Sequence, residues 1–278
     1  MSLTRRGALV GAMAISQTQT AWGGTPGLVF SGIPQQGGTL VGRTAPRAKI
    51  YVDDVFEGAA SAAGYFVVGF DRDAPDRTKI RVVTAQGGAE HLIEVAPVAY
   101  DVQRIQGLED NQVNPQGEAL LARIAAEGAR KAEGFASRAD RDDFRNGFSL
   151  PLRAYRLSGR FGGQRVLNGV PKKPHYGDDL AAPVGARIAA PAAGVVAFAE
   201  TGLHFEGGLT LIDHGQGLIT AYLHQSRVDV RKGDVVAQGQ PIGLVGKEGR
   251  ATGPHLCWRM KWHGRYLDPM LLVGVKAP

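Results

Sequence analysis

The chain has one cysteine, Cys257, among 278 residues, so no intrachain disulfide can brace its fold in any redox compartment. Aromatic residues make up only 7%. No dense run of Lys and Arg is interleaved with them, which argues against a nucleic-acid partner. Long apolar runs are missing too. The stretch from Gly7 to Ile15 has nine residues, far short of the roughly 20 that span a bilayer, so no retained membrane anchor is expected. No Gly-x-Ser-x-Gly turn occurs, which disfavours a Ser/His/Asp hydrolase.

What the chain has in quantity is turn formers: 39 glycines and 15 prolines beside 44% hydrophobic residues. That balance predicts a mainly β protein of many short strands, large enough to bury a core or two. The net charge of +6 favours an anionic partner such as an acidic wall polymer. At the N-terminus, Arg5 and Arg6 precede the short apolar run, and Ala21-Trp22-Gly23 follows. This is the pattern of a signal peptide over residues 1–23, cut after Gly23, and it predicts a periplasmic or secreted protein. The run Thr4-Arg5-Arg6-Gly7-Ala8-Leu9 resembles a twin-arginine export signal, although ordinary secretory signals also carry paired arginines.

Three regions follow. Over residues 24–105, runs such as Lys49-Ile50-Tyr51-Val52 and Lys79-Ile80-Arg81-Val82-Val83 alternate with period two, between turns such as Asp53-Asp54. A small β-sandwich with a binding or positioning role is expected. Residues 106–147 turn alanine- and charge-rich, with Leu120, Leu121, Ile124, Ala125 and Ala129 at helical spacing after Asn114-Pro115. They predict a connecting helix with Glu118, Arg123, Glu127 and Arg130 on a solvated face. Residues 148–278 return to strands and hold six of the seven histidines, between positions 175 and 263. The chemistry is expected there.

In His175-Tyr176-Gly177-Asp178-Asp179, an extended backbone puts His175, Gly177 and Asp179 on one side, with imidazole and carboxylate converging across a glycine. Asp178, on the other side, reads as solvated. In Pro254-His255-Leu256-Cys257-Trp258, alternation brings His255 and Cys257 to one face. His224 ends the strand from Leu218 and is expected to project with Tyr222 and Thr220. Nitrogen, oxygen and sulfur donors at these spacings suit a Zn²⁺ site with an open position. His214, in Asp213-His214-Gly215, reads as a structural turn residue, and Trp258 and Trp262 as packing residues.

The run His175-x-Gly177-x-Asp179-x-x-Ala182-Pro183-x-Gly185 comes first. It is followed by Asp213-His214-Gly215-x-Gly217, Thr220-x-Tyr222-x-His224, Val235-x-x-x-Gly239-Gln240-x-Ile242-Gly243 and Gly249-x-x-Thr252-Gly253-Pro254-His255. Together these resemble the lysostaphin-type (LytM-like) zinc endopeptidases, over about residues 158–269. The resemblance implies an antiparallel β domain with an open cleft, zinc on His175 and Asp179, and His224 and His255 as catalytic groups beside the metal. It also implies hydrolysis of peptides in bacterial peptidoglycan. One position departs: the family's second histidine after Gly-Pro is Cys257 here. Thiolate is itself a good zinc ligand, so the set reads as His175, Asp179 and Cys257, against the alternative of an inert buried thiol. In that alternative the protein is a non-catalytic relative that binds wall or regulates a cell-wall hydrolase partner.

Overall fold

A computed structural model describes residues 17–23 and 27–278. Of the expected leader, residues 1–16 lie outside the described residues, as does the chain just after the expected cut. Gln17–Gly23 runs antiparallel to Gly87–Glu94 at a sheet edge, so cleavage after Gly23 would remove that strand. No helix among the described residues is long and apolar enough to cross a membrane.

The first half holds two sheets. One has five strands, in the order Gln17–Gly23, Gly87–Glu94, Arg77–Thr84, Lys49–Val52 and Val55–Ala59. The other pairs Thr39–Arg43 with Val29–Gly32 and Tyr65–Gly69. Period-two alternation drives them together: Ile50, Val52, Ile80, Val82 and Phe66 are all buried in a shared core, while Arg81 stays half exposed. Asp53 and Asp54 join Val52 to Val55 with φ of 48° and 65°. A two-residue hairpin turn with both φ positive matches the natural strand twist.

Val102–Ile105, read from sequence as the end of the sandwich, pairs elsewhere. It lies parallel to Gln164–Leu167 and so reaches across to the second half of the chain. A short helical turn, Asp110–Val113, and the helix Glu118–Phe135 follow.

The second half is dominated by an antiparallel sheet. Its central strands run Asp178–Ala181, His255–Trp262, Leu218–Val228, Gly207–Asp213 and Gly194–Leu203. Alternation splits its side chains between two layers. Tyr222, Leu256, Trp258, Met260 and Trp262 pack in the main core. Ala197, Phe198, Leu211, Ala221, Leu223 and Cys257 form a second layer on which Phe135 of the helix sits.

The helix approaches this second layer closely. A Cβ added at Gly134 would lie 2.9 Å from both Leu211 Cδ1 and Phe198 Cβ, so only glycine fits without displacing the sheet. Two expectations for the helix fail as a result. Leu121 is exposed, and Glu127, expected in solvent, is buried. Its carboxylate accepts from the His204 backbone N–H at 2.9 Å and from Arg123 at 2.8 Å. A buried carboxylate is stable only with such partners, and this one ties the helix to the sheet.

Candidate metal centre and cleft

Strand register assembles the centre. Asp178–Ala181 and His255–Trp262 are antiparallel with Asp179 opposite Cys257 and Ala181 opposite His255, so acid and thiol meet on one face. His175 lies just before its strand, and its backbone exchanges hydrogen bonds with Gly162 and Gly163. The imidazole Nε2 then sits 3.1 Å from Asp179 Oδ1 and 3.3 Å from Cys257 Sγ. Ligand atoms of His175, Asp179 and Cys257 all fall within 4.8 Å of one another. Gly177 serves a different purpose from the one its spacing suggested. A Cβ there would meet Trp258 O at 2.6 Å and Arg259 Cγ at 2.5 Å, so the glycine admits the neighbouring strand rather than a metal ion.

His224 arrives by a break in the pattern. Thr210 pairs with Tyr222 but Gly208 pairs with Gln225, so its strand carries one extra residue, and His224 takes a φ of 66°. Such a bulge re-aims a side chain. The expectation that His224 would share a face with Tyr222 and Thr220 is therefore corrected. Those two bond to each other at 2.7 Å on the core side, whereas the His224 ring lies 4.6 Å from that of His255.

The two imidazoles are oriented alike. Nδ1–H of His224 donates to the Glu248 carbonyl at 2.7 Å, and Nδ1–H of His255 to that of Gly253 at 2.8 Å. A carbonyl can only accept, so each ring, when neutral, keeps Nε2 as a lone-pair base. Burial, with His255 beside it, pushes His224 down to about 3, and burial pushes His175 down to about 4; both are neutral at pH 7. Burial alone would raise Asp179, but His175, Arg165 and His255 outweigh it and hold the carboxyl far below its ordinary range. Its Oδ2 accepts from Arg165 at 2.8 Å. Its Oδ1 is buried, and the nitrogens facing it are His175 Nε2 at 3.1 Å and His255 Nε2 at 3.5 Å.

A buried carboxylate oxygen facing imidazole nitrogens and a sulfur at close range is what a cation-binding donor set looks like, because one cation can accept a lone pair from each of them. Zinc fits these residues. The thiol is pushed up to about 12 by burial, opposed by Arg259, whose Nε donates to Sγ at 3.3 Å.

Arg165, Arg250 and Arg259 escaped sequence reasoning. Arg259 was findable, since alternation puts it on the face of His255 and Cys257. Arg165 and Arg250 sit in no pattern. Burial and the other two guanidiniums lower Arg250 to about 10.

The remaining singled-out residues sort clearly. His214 is buried between the Ala193 carbonyl at 2.6 Å and Thr220 at 2.7 Å, a structural role as expected. Trp258 and Trp262 are core. Asp178 is buried rather than solvated; it accepts from the Phe161 N–H, and burial with Asp268 alongside raises it to about 9.

A small cavity beside Asp179, His224 and His255, lined also by Ile105 and Leu108, holds about 40 Å³. That is room for about one water molecule, whose share of liquid is about 30 Å³. A larger groove of about 520 Å³, bordered by Gln103, Ser158 and Thr252, meets Asp179 and His255 from outside.

Residues 173–269, which include every donor described, match the model of peptidase family M23. This part of the chain is an M23 peptidase domain. It is 40% identical over 119 residues to the peptidoglycan DD-endopeptidase ShyA of Vibrio cholerae, covering 42% of this chain and 27% of ShyA. To the DD-carboxypeptidase/endopeptidase Mpg of Neisseria meningitidis it is 35% identical over 135 residues, 48% of this chain and 30% of Mpg. The matches thus span less than a third of either relative. A crystal structure of a candidate M23 peptidase from Pseudomonas aeruginosa superposes with a TM-score of 0.64 at 28% identity. It covers 87% of this chain and 95% of that one, so the likeness extends beyond the M23 domain.

Proposed function

We propose that the protein is a zinc-dependent endopeptidase that hydrolyses peptide bonds of bacterial peptidoglycan outside the cytoplasm. The observation that carries this reading is the convergence of a buried Asp179 Oδ1 with His175 Nε2 and Cys257 Sγ beside two imidazole bases. His175, Asp179 and Cys257 would hold the ion, and Arg165 orients Asp179 from behind. When bound, zinc supplies Lewis acidity, polarising a carbonyl and making water acidic enough to attack near neutral pH.

The protein's own part is proton handling. With Nδ1–H pinned to a carbonyl, His255 and His224 each present Nε2 to the cleft. One can accept the proton of the attacking water and return it to the leaving amine. Similarity to DD-endopeptidases supports a cross-linked stem peptide as substrate. The leader pattern and the positive charge support work at the wall. A peptide would approach Asp179 and His255 along the outer groove of about 520 Å³, which borders both residues.

A non-catalytic reading is favoured by one observation: Cys257 is buried, its thiol is raised, and it already has Arg259 and His175 as neighbours. Metal analysis separates the two. Zinc per chain is measured for the wild type, His175→Ala and Cys257→Ser, purified under reducing conditions, beside release of peptides from purified peptidoglycan. Near-stoichiometric zinc in the wild type, lost in both variants, together with cleavage, is expected. A wild type that takes up no zinc and cleaves nothing would transfer the assignment to the regulator.

A further inference from the structure

A second groove, about 520 Å³ and open to solvent, lies between the helix Glu118–Phe135 and the far end of strand His255–Trp262. It adjoins the metal centre through two residues. Arg259 lines it while donating to Cys257, and Glu206 lines it while its backbone carbonyl accepts from the His224 N–H at 2.8 Å.

The lining is strongly cationic. Lys131, Arg138, Arg259 and Lys261 face a single carboxylate, Glu206, which Lys131 already pairs at 2.7 Å. Among the described residues, Arg138 donates only to the backbone carbonyls of Phe135 and Ser137. Lys261 has no carboxylate within ion-pair distance among the described residues. Its ammonium is held between the rings of Phe135 and Tyr266, 5.0 and 4.9 Å from their centroids. Burial and the neighbouring Arg138 push Lys261 below its ordinary value, outweighing the opposite pull of Asp71. Cations fixed in a concave, half-desolvated wall with too few carboxylates to pair them make an anion site, because bringing in an anion relieves repulsion and adds charge-assisted hydrogen bonds.

We propose that this groove is a carboxylate subsite, gripping a free carboxylate of the peptide whose backbone lies across the metal centre. The inference rests on the peptidase reading for the identity of its ligand. Its volume suits two or three residues of peptide, and Arg259 links it to Cys257, so a carboxylate held by Lys261 and Arg138 positions the chain on one side of the reacting bond.

The full chain, stripped of metal so that nothing is turned over, is titrated calorimetrically with a synthetic stem tetrapeptide and with the same peptide bearing carboxamides. The wild type is expected to bind the carboxylate form about tenfold more tightly, as for charge-assisted hydrogen bonds. The preference should shrink to about twofold in Lys261→Gln/Arg138→Gln. The charge-preserving Lys261→Arg/Arg138→Lys should retain most of it, which controls for a folding defect in the first variant. Equal binding of the two peptides by wild type, or a preference untouched in the Gln variant, overturns the subsite. If the preference holds while no hydrolysis is seen with zinc, the subsite stands and the peptidase reading falls; hydrolysis without preference gives the reverse.

Discussion

The sandwich and the M23 sheet are built by the same rule and end in different places. In the sandwich, buried positions alternate through Ile50–Val52 and Ile80–Val82, the one register shift falling in the edge strand Val55–Ala59, and its one histidine, His91, is buried edge-on against Phe30. In the M23 sheet, alternation fills a core just as well with Tyr222, Leu256 and Trp258. Then an extra residue at His224 breaks it, and the register of two neighbouring strands sets Asp179 against Cys257. Burying apolar faces makes a stable sheet in both. A polar, reactive face needs the interruption, with partners such as Arg165 and the Glu248 carbonyl to hold the re-aimed groups.

The sharpest way to break this contrast is to remove chemistry from one half and packing from the other. His255→Gln should retain zinc and lower peptidoglycan hydrolysis by about a thousandfold, the loss of a proton-transfer group; a rate close to wild type would remove His255 from the reaction. Ile80→Ala, in the sandwich core, should cost about 3 kcal/mol of stability in denaturant titration, with the rate per folded molecule unchanged. A slower rate at full folding would mean the sandwich takes part in the chemistry.

The segment beside the centre offers a smaller test. Leu108→Ala, which trims a side chain lining the small cavity, should raise the hydrolysis rate about fivefold, as expected for about 1 kcal/mol of lost contact. No change or a decrease would show that the 105–108 segment does not restrict access.

The last test is acid sensitivity in the M23 sheet. His214 is fully buried and lowered to about 4 by that burial, from an ordinary 6.5. Above pH 6.5 both folded and unfolded chains carry it neutral. As pH falls from there toward 4, only the unfolded chain takes the proton, so folding stability drops by about 1.4 kcal/mol per pH unit from this group. His214→Gln should flatten the decline in melting temperature over that window by a corresponding amount.

Much of the site was legible because period-two alternation is a local rule. His255 with Cys257, and His175 near Asp179, follow from spacing alone, as does the two-residue turn at Asp53-Asp54. The helix was legible as a helix but not in its orientation. Its burial was decided by how closely Gly134 lets it approach Leu211 and Phe198, which left Leu121 outside and Glu127 within.

By itself, then, the sequence determined a mainly β chain and the donors of the candidate centre, because side-chain alternation and residue chemistry need no distant partner. Tertiary structure alone decided the rest. The bulge that turns His224, the guanidiniums of Arg165 and Arg259 behind the ligands, the desolvation of Asp178, and the placing of Ile105 and Leu108 beside the centre all depend on which strands become neighbours. That choice is made by register and burial over the whole sheet, and no local spacing encodes it.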